Sequence, residues 1–578
     1  MSVISGRRFK FVASIAASCL TLFLYTTRGY SKAVLFVWLL SMVLGGCVFF
    51  SRSERGRLHI SKKDWLVTGI LFGFFALLYT YHIYTVPFQV NTDEVTIMQT
   101  MRTLTIEAHA DLFALSQYFY FPSFIFIVMG RMASLFGGID LYHVRLLHAL
   151  FGVGIIVSSY VLFRNFFSVF YAAGGALIVG VNHSLFAISR MAMRDNVATL
   201  IEVAALTLFI RGFQKKSLFE IYLGGVVAGF GFYNYFPARI VIVLWGVFLF
   251  FVFLFFRNTI GFRQIVKFGF ASMVGFLLIV APLAVATLKT PGYGAAYAKE
   301  QILLYPEGKE LQRAWVNART IEEGLFINMK NALTALNRPI HDHGYIYPNY
   351  GHGFLDPLTG VLLWIGFLVM IAGRNKKPKD VALPLCLGFL LLFFAFLTTK
   401  NPNYTRLLLV LPFAGGLVAA LFSLADGFVR SKLRIIPKIV FMIVVAMIAY
   451  NNALIFNDFK EVADAKGNDV GGTARYVEAR NELAPYSFYL AADRFYPYYS
   501  WGESWQWHTW LGFFAGDHQK VLVISPESFI AHPYEGPFTL FLENRLWAEY
   551  EEIFLLRYPS ARVHQITQDQ KLVAVEVK

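Results

Sequence analysis

Two adjacent carboxylates, Asp93 and Glu94, stand in the stretch QVNTDEVTIMQT, directly after a hydrophobic segment. A third, Asp195, stands in SRMAMRDNVATL at the start of another, flanked by Arg190 and Arg194. Carboxylates so placed have two uses. They complement the partial positive charge of a helix N-terminus, with Asn91 capping the first helix, or they accept a proton from a reacting hydroxyl. For Asp195 the structural use includes pairing with its arginines. Glu202 lies deeper in the same segment, where an ionisable group is costly and needs a partner that the sequence does not name. The stretch HDHGYIYPNYGHG, residues 341–353, offers His341, Asp342, His343 and His352. His341 and His343 would give a divalent metal two imidazoles, but no clear third and fourth ligands accompany them, so a polar loop packed over a site competes with a metal centre. No other cofactor is indicated.

The elements that must carry these residues are membrane helices. Of 578 residues, 57% are hydrophobic, 17% aromatic and 15% charged, and the mean hydropathy is +0.54, a composition foreign to soluble enzymes. Runs of about 17–22 apolar residues let α-helices cross a ~30 Å hydrocarbon core and exclude a barrel. The formal charge of +15 does not point to nucleic acid. Residues 457–578 carry 11 Lys+Arg against 17 Asp+Glu, a net −6, which leaves +21 on the hydrophobic remainder.

That remainder groups its basic residues in clusters, among them Arg52, Arg55 and Arg57, Lys215 and Lys216, and Lys376, Lys377 and Lys379, mostly two spans apart. Cytoplasmic loops have this pattern. Spans are expected near 11–27, 33–51, 65–84, 117–137, 196–211, 218–235, 239–256, 266–288, 357–373, 381–398, 407–426 and 436–455, with one net crossing and a short or re-entrant helix in 143–188, about 13 in all. The parity puts the amino terminus in the cytoplasm. Loops 85–116, 289–356 and 399–406, and everything after 456, then face outward. The first segment reads as an anchor rather than a removed signal peptide, because a second span follows at once and no small-residue cleavage site is evident. Cys19, Cys47 and Cys386 all fall inside spans, so the outward tail has no disulfide framework.

The tail, 457–578, reads as an extracytoplasmic α/β domain. SFYLAAD, KVLVISP, FTLFLE, ARVHQITQ and KLVAVEVK have strand length and pattern, whereas GGTARYVEARNEL and RLWAEYEEIFLLRYP have helical pattern. The alternation predicts a three-layer domain, and the lack of a Gly-rich phosphate loop argues against nucleotide binding there. The aromatic run 495–510, FYPYYSWGESWQWHTW, fits an interfacial belt better than a platform for sugar rings.

In order along the chain, NTDE, YFPSFIFIVMGRMASLFGG, VRLLHALFGV, SRMAMRDN, GFGFYNYFPARIVIV, NYGHGFLDPLTGVLLWIGF and NPNYTRLLLVLPF, spaced between hydrophobic spans, resemble the GT-C glycosyltransferases. The resemblance is specifically to bacterial relatives of the protein O-mannosyltransferases and of the lipid A aminoarabinose transferase. It covers residues ~65–425, so the expected organisation is two additional helices (1–64), a GT-C-like catalytic membrane domain (65–456) and the outward α/β domain (457–578). The resemblance implies an integral protein of the bacterial inner or cell membrane. It would transfer a sugar from a polyprenyl-phosphate donor to a hydroxyl of a protein, lipid or glycan acceptor on the outer face, with membrane lipids and no nucleic acid as further partners. It also implies that Asp93 is the catalytic acid of the family, Glu94 its neighbour and Asp195 a second acid shaping the site. A departing phosphate would then need cations, for which Arg194, Arg239, Lys400 and Arg406 stand at outward span ends. Interfacial snorkelling is the alternative use of each. A polymerase or ligase of lipid-linked glycans is the nearest rival function. A transporter or flippase would place its ionisable groups near mid-membrane and show internal repeats, and a noncatalytic scaffold would leave the outward charges unused.

Overall fold

The computed structural model describes residues 2–50, 61–87, 90, 92–106, 110–116, 121–290, 299–339, 351–373, 377–401, 403–429, 433–466, 487–491, 521–524, 537–565 and 572–577. Among them ten helices are long and apolar enough to cross a membrane: Arg8–Arg28, Lys32–Phe49, Lys62–Thr80, Leu141–Phe163, Asp195–Lys215, Phe236–Phe256, Phe262–Lys289, Pro378–Leu397, Tyr404–Phe428 and Ile435–Glu461. Val169–Val181 and His183–Ser189 form a broken pair bent by 60°. Ser123–Phe136, Leu218–Tyr233 and Pro357–Ala372 are apolar but shorter. The protein is a polytopic helical membrane protein with a small carboxy-terminal sheet.

Within 143–188, the ambiguous stretch of the sequence, lie most of the full span Leu141–Phe163 and the broken pair. Asn182 causes the break. Its side chain accepts from the Leu185 N–H at 3.1 Å and so starts a new helix, while the His183 N–H donates to Asn452 Oδ1 at 2.8 Å instead of continuing the first.

The chain divides into two compact units, Met1–Tyr81 with Thr100–Asn457, and His82–Gln99 with Asp458–Lys578. In the first unit, small residues let helices approach closely. A Cβ at Gly225 would lie 2.0 Å from the Ser272 carbonyl oxygen, and one at Gly275 2.3 Å from that of Tyr222. Glycine at both positions therefore seats helix Leu218–Phe230 directly against Phe262–Lys289. Ion pairs close one end of this unit. Asp64 takes Arg164 at 2.6 Å and the Tyr160 hydroxyl at 2.7 Å, and Glu220 pairs with Arg211 at 3.1 Å.

In the second unit, β1 (Ser487–Ala491), β2 (Val521–Ile524), β3 (Phe538–Glu543), β4 (Arg562–Gln565) and β5 (Leu572–Val577) form one sheet in the order β2-β1-β3-β5-β4. β1 runs parallel to β2 and β3, while β5 is antiparallel to β3 and β4. Alternate residues Phe538, Leu540 and Leu542 pack with Val573, Val575 and Val577 and with Trp547 and Phe554 of helix Asn544–Arg557. The helix expected over GGTARYVEARNEL and the aromatic run 495–510 lie outside the described residues.

Candidate active site

Helix Asp195–Lys215 organises the site. Arg194 occupies its N-cap position in αR geometry and makes no side-chain cap bond. Asp195 follows in the first turn, buried at 5% exposure, where a negative charge complements the helix dipole. The Arg194 guanidinium lies over two rings, 4.3 Å from the centroid of Phe121 and 4.7 Å from that of Tyr235.

Both rings are delivered by irregular backbone. Phe121 is held by antiparallel pairing of two short segments: Leu115 bridges Pro122, Ser116 N–H donates to the Phe121 carbonyl at 2.7 Å, and Ser123 N–H to that of Ala114 at 2.8 Å. The span expected at 117–137 accordingly starts only at Ser123, behind Pro122 at its N-cap. The span expected at 218–235 also ends early. Helix Leu218–Phe230 tightens into a 3-10 turn at Gly231–Tyr233, and Tyr235 then leads into a second, Phe236–Arg239, with Pro237 at its start.

Phe121 packs against Tyr235 and Phe236, centroids 5.9 and 5.6 Å apart. The Arg239 guanidinium lies 4.1 Å over Phe236 and 5.5 Å over Phe232. Phe121, Tyr235 and Phe236 thus link the Arg194 guanidinium to that of Arg239. A desolvated cation–π contact stabilises by about 2 kcal/mol, and a ring, unlike a carboxylate, leaves the cation its full charge. Among the described residues Arg239 has no carboxylate partner, and its Nε has no hydrogen bond. Asn234, between the two 3-10 turns, is fully buried with neither amide atom hydrogen-bonded among the described residues. Sequence reading passed over it.

Lys400 and Arg406 form a second group, and helix Asp195–Lys215 packs against both turns, Phe236–Arg239 and Leu408–Val410. The connection before Arg406 is fixed by asparagines. Asn328 Nδ2 donates to the carbonyls of Ala395 (3.1 Å) and Thr398 (2.9 Å), and its Oδ1 accepts from Asn401 Nδ2 at 3.2 Å. Lys400 is held at φ 59°, a left-handed conformation costly for lysine. Its N–H donates to Gln312 Oε1 at 2.6 Å, and its ammonium lies 4.8 Å over Trp315. Burial first, then Arg406 beside it, push the Lys400 pKa below the ordinary lysine range, with Glu300 opposing. Arg406, 7% exposed, spends part of its fork on the Thr399 carbonyl (2.8 Å) and Gln301 Oε1 (2.5 Å).

Asp93 and Glu94 belong to the other unit, in the first turn of helix Thr92–Ile106, Asp93 8% exposed and Glu94 fully buried. Asn91, their expected cap, and the histidines His341 and His343 lie outside the described residues. Arg190, read from sequence as flanking Asp195, donates to the carbonyls of Tyr79 (2.9 Å) and Tyr81 (2.5 Å) at the end of helix Lys62–Thr80, a C-terminal cap. Burial, then Arg145, lower its pKa to about 10, with Tyr79 opposing. Glu202 is fully buried, and neither carboxylate oxygen has a hydrogen bond among the described residues. A polar network with no signal in the local sequence pattern joins Asn182 and Ser184 to the Phe354 carbonyl (3.4 and 2.9 Å) and Asn452 to Asp356 (2.9 Å).

Residues 122–285, which contain Arg194, Asp195 and Arg239, match the model of the dolichyl-phosphate-mannose-protein mannosyltransferase family. No curated protein sequence matches the chain. Among solved structures, ArnT from Cupriavidus metallidurans bound to undecaprenyl phosphate is similar over 89% of this chain and 98% of its own, at 14% identity and a TM-score of 0.51. The Archaeoglobus fulgidus oligosaccharyltransferase tethered with an acceptor peptide is similar over 85% of this chain and 70% of its own, at 13% identity and a TM-score of 0.47. The S. cerevisiae protein O-mannosyltransferase Pmt1-Pmt2 complex bound to the sugar donor covers 41% of this chain and 35% of its own, at 18% identity and a TM-score of 0.33. The match to the mannosyltransferase family model is thus confined to 122–285, within a chain that has the ArnT fold along 89% of its length.

Proposed function

We propose that the protein transfers a sugar from a polyprenyl-phosphate carrier to an acceptor hydroxyl at the outer face of the membrane, in one displacement with inversion. The observation that carries this reading is the row of guanidinium groups on aromatic faces from Arg194 to Arg239, beside Asp195. A phosphate leaving group needs positive charge to receive it, and Arg239, seated on Phe236 and Phe232, has no carboxylate partner among the described residues. The ArnT structure with undecaprenyl phosphate supports a lipid phosphate as the donor's carrier.

In this reaction the acceptor oxygen attacks the anomeric carbon while Asp93 takes its proton, with Glu94 as the supporting neighbour. The bond from the anomeric carbon to the phosphate oxygen breaks, and the electron pair leaves on the polyprenyl phosphate. Arg194, Arg239, Lys400 and Arg406 stabilise the added charge, and Asp195 helps shape the site. The three proposed parts are the amino-terminal pair 1–64, the catalytic membrane domain 65–456 and the outward domain 457–578, in a bacterial cell membrane. The test incubates the purified full chain with polyprenyl-phosphate hexoses and pentoses and with hydroxyl acceptors of peptide, lipid and glycan type. Release of free polyprenyl phosphate together with glycosylated acceptor is expected. Failure with every donor would overturn the reading.

A further inference from the structure

The first two helices, Ser2–Arg28 and Lys32–Phe49, hold none of the residues proposed for catalysis, yet they are not a detached anchor. Trp38 Nε1 donates to the Leu278 carbonyl at 2.9 Å, which fixes the pair to helix Phe262–Lys289. Lys289 donates at 3.2 Å to the carbonyl of Tyr25, in the last turn of the first helix. The Tyr25 side chain, 4% exposed, then reaches across to a different segment, its hydroxyl donating to Asp111 Oδ2 at 3.0 Å. The other oxygen, Oδ1, accepts from the N–H groups of Phe113 (2.9 Å) and Ala114 (3.3 Å). Asp111 therefore fixes the start of the 111–116 segment that pairs with Phe121. Phe113, fully buried, adds a wedge: its ring meets Trp38 at 5.0 Å and Tyr25 at 5.4 Å, both nearly edge-on.

We propose that the amino-terminal helix pair braces the site, with Tyr25 and Asp111 as positioning residues that hold residues 111–116 and, through the pairing of 114–116 with 121–123, keep Phe121 on the Arg194 guanidinium. The route consists of contacts between neighbours: helix pair to Asp111, Asp111 to the paired segments, paired segments to ring, ring to cation. It rests on the proposed function only where it says what the clamp serves.

The test uses Tyr25→Phe in the full chain, which keeps the ring in the cluster and removes only the hydroxyl, and Asp111→Asn, which keeps an acceptor for Phe113 and Ala114. Hydrogen exchange is followed at Ser116 and Ser123, with helix Pro357–Ala372 as the remote control. A hydrogen bond to a carboxylate contributes enough that its loss should speed exchange at Ser116 and Ser123 about tenfold or more, with the control unchanged. Donor kcat/KM should fall about tenfold in Tyr25→Phe. In a Phe121→Leu background the same change should cost less than about twofold, because the ring it positions is gone. Unchanged exchange at Ser116 and Ser123 overturns the brace. So do additive effects on kcat/KM, or unaltered transfer alongside faster exchange. A wild-type protein inactive with every donor would count against the proposed reaction alone, since exchange still decides whether the brace exists.

Discussion

Replacing Asp93 by Asn separates two roles that differ in size. Asp93 stands in the first turn of helix Thr92–Ile106 at 8% exposure. If it serves only the helix, the substitution removes one negative charge near the positive end of the dipole, about 0.3–1 kcal/mol, while the shape and capping capacity of the side chain survive. Passed entirely into rate, that is about fivefold at most. If Asp93 is the general base, Asn cannot take the proton, and the loss is roughly 10²–10⁴-fold, equivalent to about 3–5.5 kcal/mol in the barrier. The two ranges do not overlap. Glu94→Gln should fall less far than Asp93→Asn. The assay is transfer from a polyprenyl-phosphate sugar by purified protein, with thermal unfolding measured on the same preparation. The expected result is a transfer loss of at least a hundredfold with a Tm shift of a few degrees. Turnover within fivefold of wild type, or a loss that tracks unfolding, would return the acid to its dipole role.

Arg406→Ala should weaken use of the lipid donor more than Arg406→Lys, because Lys keeps the charge and loses the fork; equal donor KM in Ala and wild type would reduce Arg406 to holding Thr399 and Gln301. Lys400, its pKa lowered by burial and Arg406, should lose its proton at lower pH than an exposed lysine. Since only the charged form attracts phosphate, donor KM should rise on the alkaline side before ordinary lysines titrate, and Lys400→Arg should flatten that rise. A wild-type profile as flat as that of the Arg variant would remove Lys400 from the donor site. Single cysteines at positions 100, 345 and 520 should react with a membrane-impermeant thiol reagent in intact cells, and those at 57 and 377 should not. Labelling at 377 but not 345 would invert the orientation.

Membrane spans were legible because hydrocarbon imposes a length and an apolar composition that local sequence must satisfy. The strands of the tail were legible for the related reason that Phe538, Leu540 and Leu542 alternate against one core. What the sequence hid is where apolar runs stop being helical. FPSF, residues 121–124, reads as part of a span, but Pro122 cannot supply an N–H, and the pairing of Ser116 with Phe121 keeps Phe121 out of the helix. GFYNYFPAR reads as the tail of one span and the head of the next, whereas two 3-10 turns there expose ring faces to Arg194 and Arg239. Arg190 and Arg194 look equivalent in SRMAMRDN, and only the folded neighbours separate them. One meets open carbonyls at a helix end, the other two rings.

The contrast between the two ends of the membrane unit carries the functional argument further than any single residue. At the end holding Asp64 and Glu220, arginines meet acids: Arg164 is bonded to Asp64, and Arg211 is paired with Glu220. Such pairs hold helices together and leave little net field. At the other end Arg194 lies on Phe121 and Tyr235, Arg239 on Phe236 and Phe232, and Lys400 over Trp315. Arg239, with no carboxylate partner among the described residues, keeps its charge available there, which suits an anion that arrives and departs rather than a fixed carboxylate. A lipid phosphate is such an anion, and it can reach the spot from the bilayer without crossing water. The proposed brace from Tyr25 to Asp111 fits the same logic, because a cation seated on rings depends on what holds the rings.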